Sequence, residues 1–398
     1  MIPLTEALAA VRARSRPLPG EDVPLLDAQG RVLAEGVRAK RDQPATDISM
    51  MDGYAVRAAD AGSGLRVVGE IAAGDAPWTK PLGAGEAARI FTGAPVPPGA
   101  DCVVMQEQAV RDGATVRVEQ PAAGQHIRRR GEELTAGAEA IPAGTVMQSA
   151  ELALAAACGA TSVRVFRRPR MAILTTGSEL VPQGTEPPPG KLIETNSIAL
   201  GALARDAGAV VQFLGIAPDD VGEIAGRLSE VEADILLTTG GASVGDHDHA
   251  QAALERLSGS LIFHTVAIRP GKPVLFGTAS RGRLVFGLPG NPAAATLGFE
   301  LFVRLAIRLM SGDPKPDRPR ARARLRGNLS RIKGLTFFPR GRVTADGATL
   351  AFFPGVHQSS MQIASWSGAN AVAVIPPGEG RVADGEEVDV LLVGPLIQ

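Results

Sequence analysis

A chain of 398 residues is longer than one compact hydrophobic core supports, so two to four domains are expected. With 41 Lys and Arg against 42 Asp and Glu, a formal charge of -1 and 4% aromatics, it lacks the basic field and the stacking surface that nucleic acid or an anionic membrane would need. Its two cysteines, Cys102 and Cys158, form no CxxC or Cys/His cluster, which argues against a disulfide framework or structural zinc and for a reducing, cytoplasmic setting.

The N-terminal stretch MIPLTEALAAV contains Glu6 and has no basic start, so it does not read as a signal peptide. Leu4 to Arg14 and Ala150 to Cys158 are alanine-rich and helical in character. Between them LRVVGEI, AARIFTG, DCVVMQE and ATVRVEQ are short β-type runs separated by Gly and Pro, which predict a small all-β unit. The flanking helical pieces are expected to pack together, making the β unit an insertion. From Arg170 the texture changes. MAILTT, AVVQFLGI, DILLTT, PVLFG and RLVFGLP are apolar, β-branched-rich runs, with helix-like segments at Asn196 to Ala207 and Val221 to Glu230. Strands alternating with helices predict a parallel sheet covered on both faces. Ala293 to Met310 carries Glu300, Arg304 and Arg308 at helical spacing and reads as a packed helix, not a membrane span. Past Gly312 the DPKPDRPRAR segment has linker composition. TFFPRGRV, ATLAFFP, NAVAVIPP and EEVDVLLV then predict a small C-terminal β-barrel or sandwich.

Three segments of the α/β region end a strand in a glycine turn. They are Leu174 to Glu179 (LTTGSE), Thr238 to Asp248 (TTGGASVGDHD) and Gly287 to Pro292 (GLPGNP). One such turn alone is ordinary loop geometry, but three at one sheet edge point to a ligand site beyond the C-terminal strand ends. Glycines let the backbone N–H groups approach an anion, hydroxyls such as Thr238, Thr239 and Ser243 add donors, and a helix N-terminus adds positive potential. Asn291 is expected to cap the following helix, with Pro292 in its first position. Arg269 and Lys272, in IRPGKP, are candidates to neutralise phosphate. Glu179 and Asp248 are candidates to hold a hard cation such as Mg²⁺. There is no GxxxxGK[ST], and no GxGxxG follows a strand, so neither a P-loop nor a dinucleotide fingerprint is present.

With these loops in view, the chain resembles the molybdopterin molybdenumtransferase family, the enzymes related to the E domain of gephyrin. The resemblance covers essentially the whole chain. It is carried by Met51 to Val56 (MDGYAV), Phe91 to Pro97 (FTGAPVP), Ile127 to Glu132 (IRRRGE), Thr176 to Leu180 (TGSEL), Gly240 to Gly245 (GGASVG), Arg269 to Pro273 (RPGKP) and Gly287 to Pro292.

The fold the resemblance implies is multidomain α/β plus β. A helical or extended linking domain (1–40 and 141–168) carries an inserted β domain (41–140). A central parallel-sheet α/β domain of molybdopterin-binding type (169–312) and a C-terminal β-barrel (313–398) follow. The activity it implies is insertion of molybdenum from molybdate into adenylyl-molybdopterin with release of AMP, Mg²⁺ being required, in a homodimer whose site is shared between protomers. Transient contact with the molybdopterin adenylyltransferase and with molybdoenzyme acceptors is also implied. Asp52, Thr92, Glu179, Asp219 and Asp248 are then the catalytic candidates, with Glu179 and Asp248 on the metal. Thr176, Gly177, Ser178, Gly240, Gly241, Ser243, Gly245, Arg269, Lys272, Pro289, Gly290, Asn291, Arg128 and Ser360 are the candidates to contact substrate. Asp52 would act as a general base or orient water.

This chain departs from the family pattern at several positions. Glu133 stands for an aspartate, Ser178 for a frequent acid, Thr265 for a frequent lysine, Arg269 for the next lysine, and Leu335 for an arginine of the C-terminal signature. Two other functions remain in view: the adenylyltransferase of the preceding step, and a binding scaffold that has lost turnover.

Overall fold

The computed structural model describes residues 1–119, 121–241, 249–347 and 349–396. Two compact units emerge, Asp22–Val165 and a second made of Met1–Glu21 with the chain from Phe166 onward.

The second unit is built on a six-stranded sheet. Its strands are β1 (Arg170–Thr176), β2 (Val210–Ala217), β3 (Ile235–Thr239), β4 (Ser260–Thr265), β5 (Pro273–Thr278) and β6 (Leu284–Leu288), in the order β2-β1-β3-β6-β5-β4. The helices are α1 (Leu4–Arg14), α2 (Asn196–Asp206), α3 (Val221–Ser229), α4 (His249–Arg256), α5 (Pro292–Gly298) and α6 (Arg304–Met310). The continuous apolar runs arise because both faces are covered. Met171 and Ile173 of β1 join a core with Ala7 and Val11 of α1, Leu200 of α2 and Leu305 of α6. Ala172 and Leu174 point the other way, to Ile224 of α3 and Leu254 of α4. Strands β2, β1, β3 and β6 are parallel to one another, as expected. Strand β5 is the exception, antiparallel to both β6 and β4. Its link to β6 is a tight turn, with the Ala279 N–H donating to Arg283 O at 2.9 Å, and so short a connection cannot make a parallel crossover.

Helix α1 does not pair with the helix Ser149–Ala157 as the sequence led us to expect. Its apolar stripe needs a large hydrophobic face, and the sheet unit supplies one through α6 and β4 neighbours. The helix Ser149–Ala157 instead shares a core with Leu33, Met147 and Val165 in the other unit, where its neighbours are mostly extended. That unit also holds a six-stranded sheet with the spatial order Cys102–Met105, Gly53–Val56, Glu86–Ile90, Gly64–Ile71, Thr115–Val118, Ala109–Asp112. The C-terminal strands Arg320–Leu325, Thr349–Pro354, Arg340–Asp346, Ala371–Val374 and Glu387–Leu392 close into a barrel around Leu325, Val343, Phe352 and Val390.

Between α5 and α6 the chain makes a π-helical turn, Phe299–Val303, which turns Glu300 inward. Arg318 of the linker binds this buried carboxylate through two hydrogen bonds of 2.8 and 3.0 Å. Glu300→Gln removes the charge but keeps the shape, and is expected to cost about 1.5–3 kcal/mol. A chemical denaturation midpoint equal to that of the wild type contradicts this. Among the described residues, no helix is long and apolar enough to cross a membrane.

Candidate functional site

The C-terminal ends of β1, β3 and β6 open into a cleft of about 780 Å³. Thr176, Gly177 and Glu179 line it from the first loop, Gly240 and Gly241 from the second, and Pro289, Gly290 and Asn291 from the third, together with Asp219 after β2. The three glycine turns thus share one wall. Gly240 is required there by contact as well as conformation: its φ is +96°, and a Cβ would lie 2.1 Å from Thr176 O. The Thr176 hydroxyl is buried beside it without a partner, a donor turned toward the close approach of the two loops.

Two buried polar residues that sequence reasoning missed brace this wall. The Asn196 amide, at the first position of α2, donates to Thr239 Oγ1 (2.8 Å) and Gly290 O (2.9 Å), while the Thr239 hydroxyl donates to Pro289 O (3.1 Å). The GLPGNP turn is thereby tied to the end of β3. Glu194 accepts from Thr175 Oγ1 (3.3 Å), Ser197 N (2.7 Å) and Ser197 Oγ (2.5 Å), anchoring the start of α2. The only sequence signal was a Thr-Asn-Ser opening to a helix, common enough to read as capping.

The Asn291 side chain does not cap α5 as expected; it donates to Ser360 Oγ at 3.3 Å, and the Ala293 N–H donates to Ser360 O at 3.0 Å. Ser360 is therefore held against the third loop. Next to it lies a residue the sequence did not single out. Arg340 is fully buried, its Nη2 donates to Ser359 O at 3.2 Å, and its Nε and Nη1 have no partner. Burial pushes this guanidinium down to about 10, so it stays charged at neutral pH. Ser178 N donates to Asp219 Oδ2 at 3.0 Å, which ties the first loop to the end of β2. Arg269 and Lys272 are exposed and stand outside the cleft lining, although Pro273 belongs to it. Ser243, Gly245 and Asp248 lie outside the described residues.

Glu179 and Asp219 bring hard carboxylate oxygens to the cleft, the donor type that Mg²⁺ takes when substrate phosphates complete its shell. Glu179 and Asp219 would supply part of such a shell. Among the described residues no group of three His, Cys, Asp or Glu gathers as a full ligand set.

In the other unit, Asp52 Oδ1 accepts from both the Thr92 N–H and the Thr92 hydroxyl at 2.8 Å. These bonds hold the Asp52 carboxyl below the usual carboxylate range. Arg128 is paired with Glu133 at 2.7 Å, so the longer acid of this chain occupies the expected substrate-facing arginine. Its neighbours are locked too: Arg129 and the Arg130 N–H hold Asp47, while the Ala136 N–H and Arg130 hold Asp42. Burial raises Asp47, but these donors outweigh it, and Asp42 is likewise depressed. Because the folded pKa values lie below the unfolded ones, this stabilisation is complete above about pH 4 and is lost as pH falls through the folded values. The amide resonances of residues 128–136 are expected to shift together on acidification below about pH 4. Resonances that stay in place throughout the acid titration contradict it.

A glycine-walled cleft at the C-terminal edge of a doubly covered sheet, lined in part by carboxylates and braced by the buried Asn196 amide, lies where open α/β sheets take a small ligand. Comparison with known proteins narrows this. The MoeA N-terminal region (domain I and II) matches residues 2–159, a "Probable molybdopterin binding domain" matches 172–309, and the MoeA C-terminal region (domain IV) matches 322–393. A Nostoc protein named molybdopterin molybdenumtransferase is 37% identical over 93% of this chain and 88% of its own length. Molybdopterin molybdenumtransferase 2 of Mycobacterium tuberculosis is also 37% identical, over 92% of this chain and 94% of its own. The crystal structure of the molybdopterin biosynthesis MoeA protein from Pyrococcus horikosii superposes with a TM-score of 0.86 at 31% identity, covering 99% of this chain and 100% of that one. The chain belongs to the molybdopterin molybdenumtransferase (MoeA) family, and it has that family's multidomain α/β fold with a closed C-terminal barrel.

Proposed function

We propose that this enzyme inserts molybdenum from molybdate into adenylyl-molybdopterin and releases AMP, with the α/β cleft holding the adenylylated pterin. The single observation that carries the reading is the cleft itself: three strand-end glycine turns share one wall, in a chain whose full-length relatives are named molybdenumtransferases. In this reading the N–H groups around Gly177, Gly240 and Gly290, with the Thr176 hydroxyl, receive the phosphate oxygens. Asn196 keeps the third loop in place while they do so. Arg340 and Ser360 face molybdate, since a buried guanidinium with two unpartnered donors is satisfied by a compact oxyanion. Glu179, Asp219 and Asp248 would hold Mg²⁺, which when bound screens the charge of the phosphoanhydride. Asp52, kept ionised by Thr92, orients water or accepts a proton. A homodimer with a shared site and a cytoplasmic location belong to the same proposal.

Full-length relatives named molybdenumtransferases favour this over the adenylyltransferase of the preceding step. Supplying ATP and molybdopterin is expected to leave both unconsumed, whereas adenylyl-molybdopterin with molybdate is expected to yield AMP. Accumulation of adenylyl-molybdopterin in the first mixture sinks the proposal.

A further inference from the structure

The cleft that is to hold a phosphoanhydride has an electrostatic imbalance. Among the described residues its lining carries three carboxylates, Glu179, Glu194 and Asp219, and no lysine or arginine. One cation is nonetheless fixed at its edge. Leu180 and Val181 pair in parallel with Leu192 and Ile193, and the Leu192 N–H donates to Glu179 O at 2.9 Å. That register sets Lys191 across from Glu179. Its Nζ donates to Ser178 O at 2.6 Å, over the glycine turn that leaves β1.

No carboxylate among the described residues pairs with this ammonium. Asp219 accepts from the Ser178 N–H instead. Lys191 meets the main-chain carbonyl of Ser178, while the Ser178 hydroxyl is turned the other way and accepts from the Asp219 N–H at 3.4 Å.

We propose that Lys191 is a phosphate-binding residue of the cleft, whose charge is available to the nucleotide end of the ligand. The inference rests on the function proposed above. An ammonium on a flexible stem, held by one carbonyl, exchanges that bond for a charge-assisted one to a phosphate oxygen with little rearrangement. Lys191 thereby supplies part of the positive charge missing from the lining, beside Glu179 and any cation Glu179 holds.

The test compares AMP with adenosine, two probes that differ by the phosphate alone, by calorimetry on the full chain. Wild type is expected to bind AMP more tightly than adenosine. Lys191→Met is expected to weaken AMP about 3- to 10-fold and leave adenosine unchanged. Lys191→Arg is expected to restore most of the loss. Unchanged AMP binding in Lys191→Met overturns the role of Lys191 while leaving the assigned function standing. So does an equal loss of AMP and adenosine, which marks a structural effect. A wild type that binds AMP no better than adenosine overturns both.

Discussion

Replacing Gly240 with alanine is expected to cost about 2–5 kcal/mol of folding stability and to abolish ligand binding in the cleft. Two effects add. The backbone sits at φ +96°, where a Cβ collides with its own chain, worth about 1–2 kcal/mol. The same Cβ would lie 2.1 Å from Thr176 O and 2.9 Å from Thr176 Oγ1, so the first and second loops must separate. Separation breaks the wall in which three glycine turns share one ligand surface. Thermal unfolding and AMP binding measured on the purified variant check both parts. Wild-type AMP affinity in Gly240→Ala contradicts the assignment of this wall.

Arg340→Met is expected to act in opposite directions on stability and on function. The side chain is fully buried with two unpartnered donors, and its burial already lowers its affinity for a proton. A base with a lowered folded pKa weakens the fold at neutral pH, where the unfolded state binds the proton more readily. An apolar chain of similar length loses one hydrogen bond to Ser359 O and removes that burden. The variant is therefore expected to gain about 1–3 kcal/mol, the cost of leaving buried donors unmade. Molybdate-dependent AMP release is expected to fall about 10- to 100-fold, because charge-assisted bonds to the oxyanion are lost. A variant less stable than wild type, or one with full activity, counts against an oxyanion at Arg340.

The sequence carried the strands of the α/β sheet and the three loops because period and punctuation are local properties. MAILTT and DILLTT are apolar without alternation because both faces are buried, and each ends in the glycine its turn requires. The reversal of β5 was hidden, since PVLFG reads the same in either direction and only the shortness of the turn at Ser280–Gly282 decides it. Helix α1 was assigned to the wrong neighbour because an alanine-rich stripe does not say which face it will meet. The bracing of the site was the least legible. Asn196 and Glu194 act through partners 43 and 19 residues away, and Arg340 is distinguished from other arginines by what it lacks. The Arg128–Glu133 pair was half visible: the longer acid was evident, but not that it would pair with the arginine.

In the proposed reaction the cleft holds adenylyl-molybdopterin and couples molybdate to cleavage of its phosphoanhydride. The most direct measurement is AMP release from adenylyl-molybdopterin bound to the purified chain, followed as micromolar molybdate is titrated in. Release is expected to stay near the buffer control without molybdate and to rise to saturation with it. Tight binding of adenylyl-molybdopterin with no release at any molybdate concentration, or release that ignores molybdate, would contradict it.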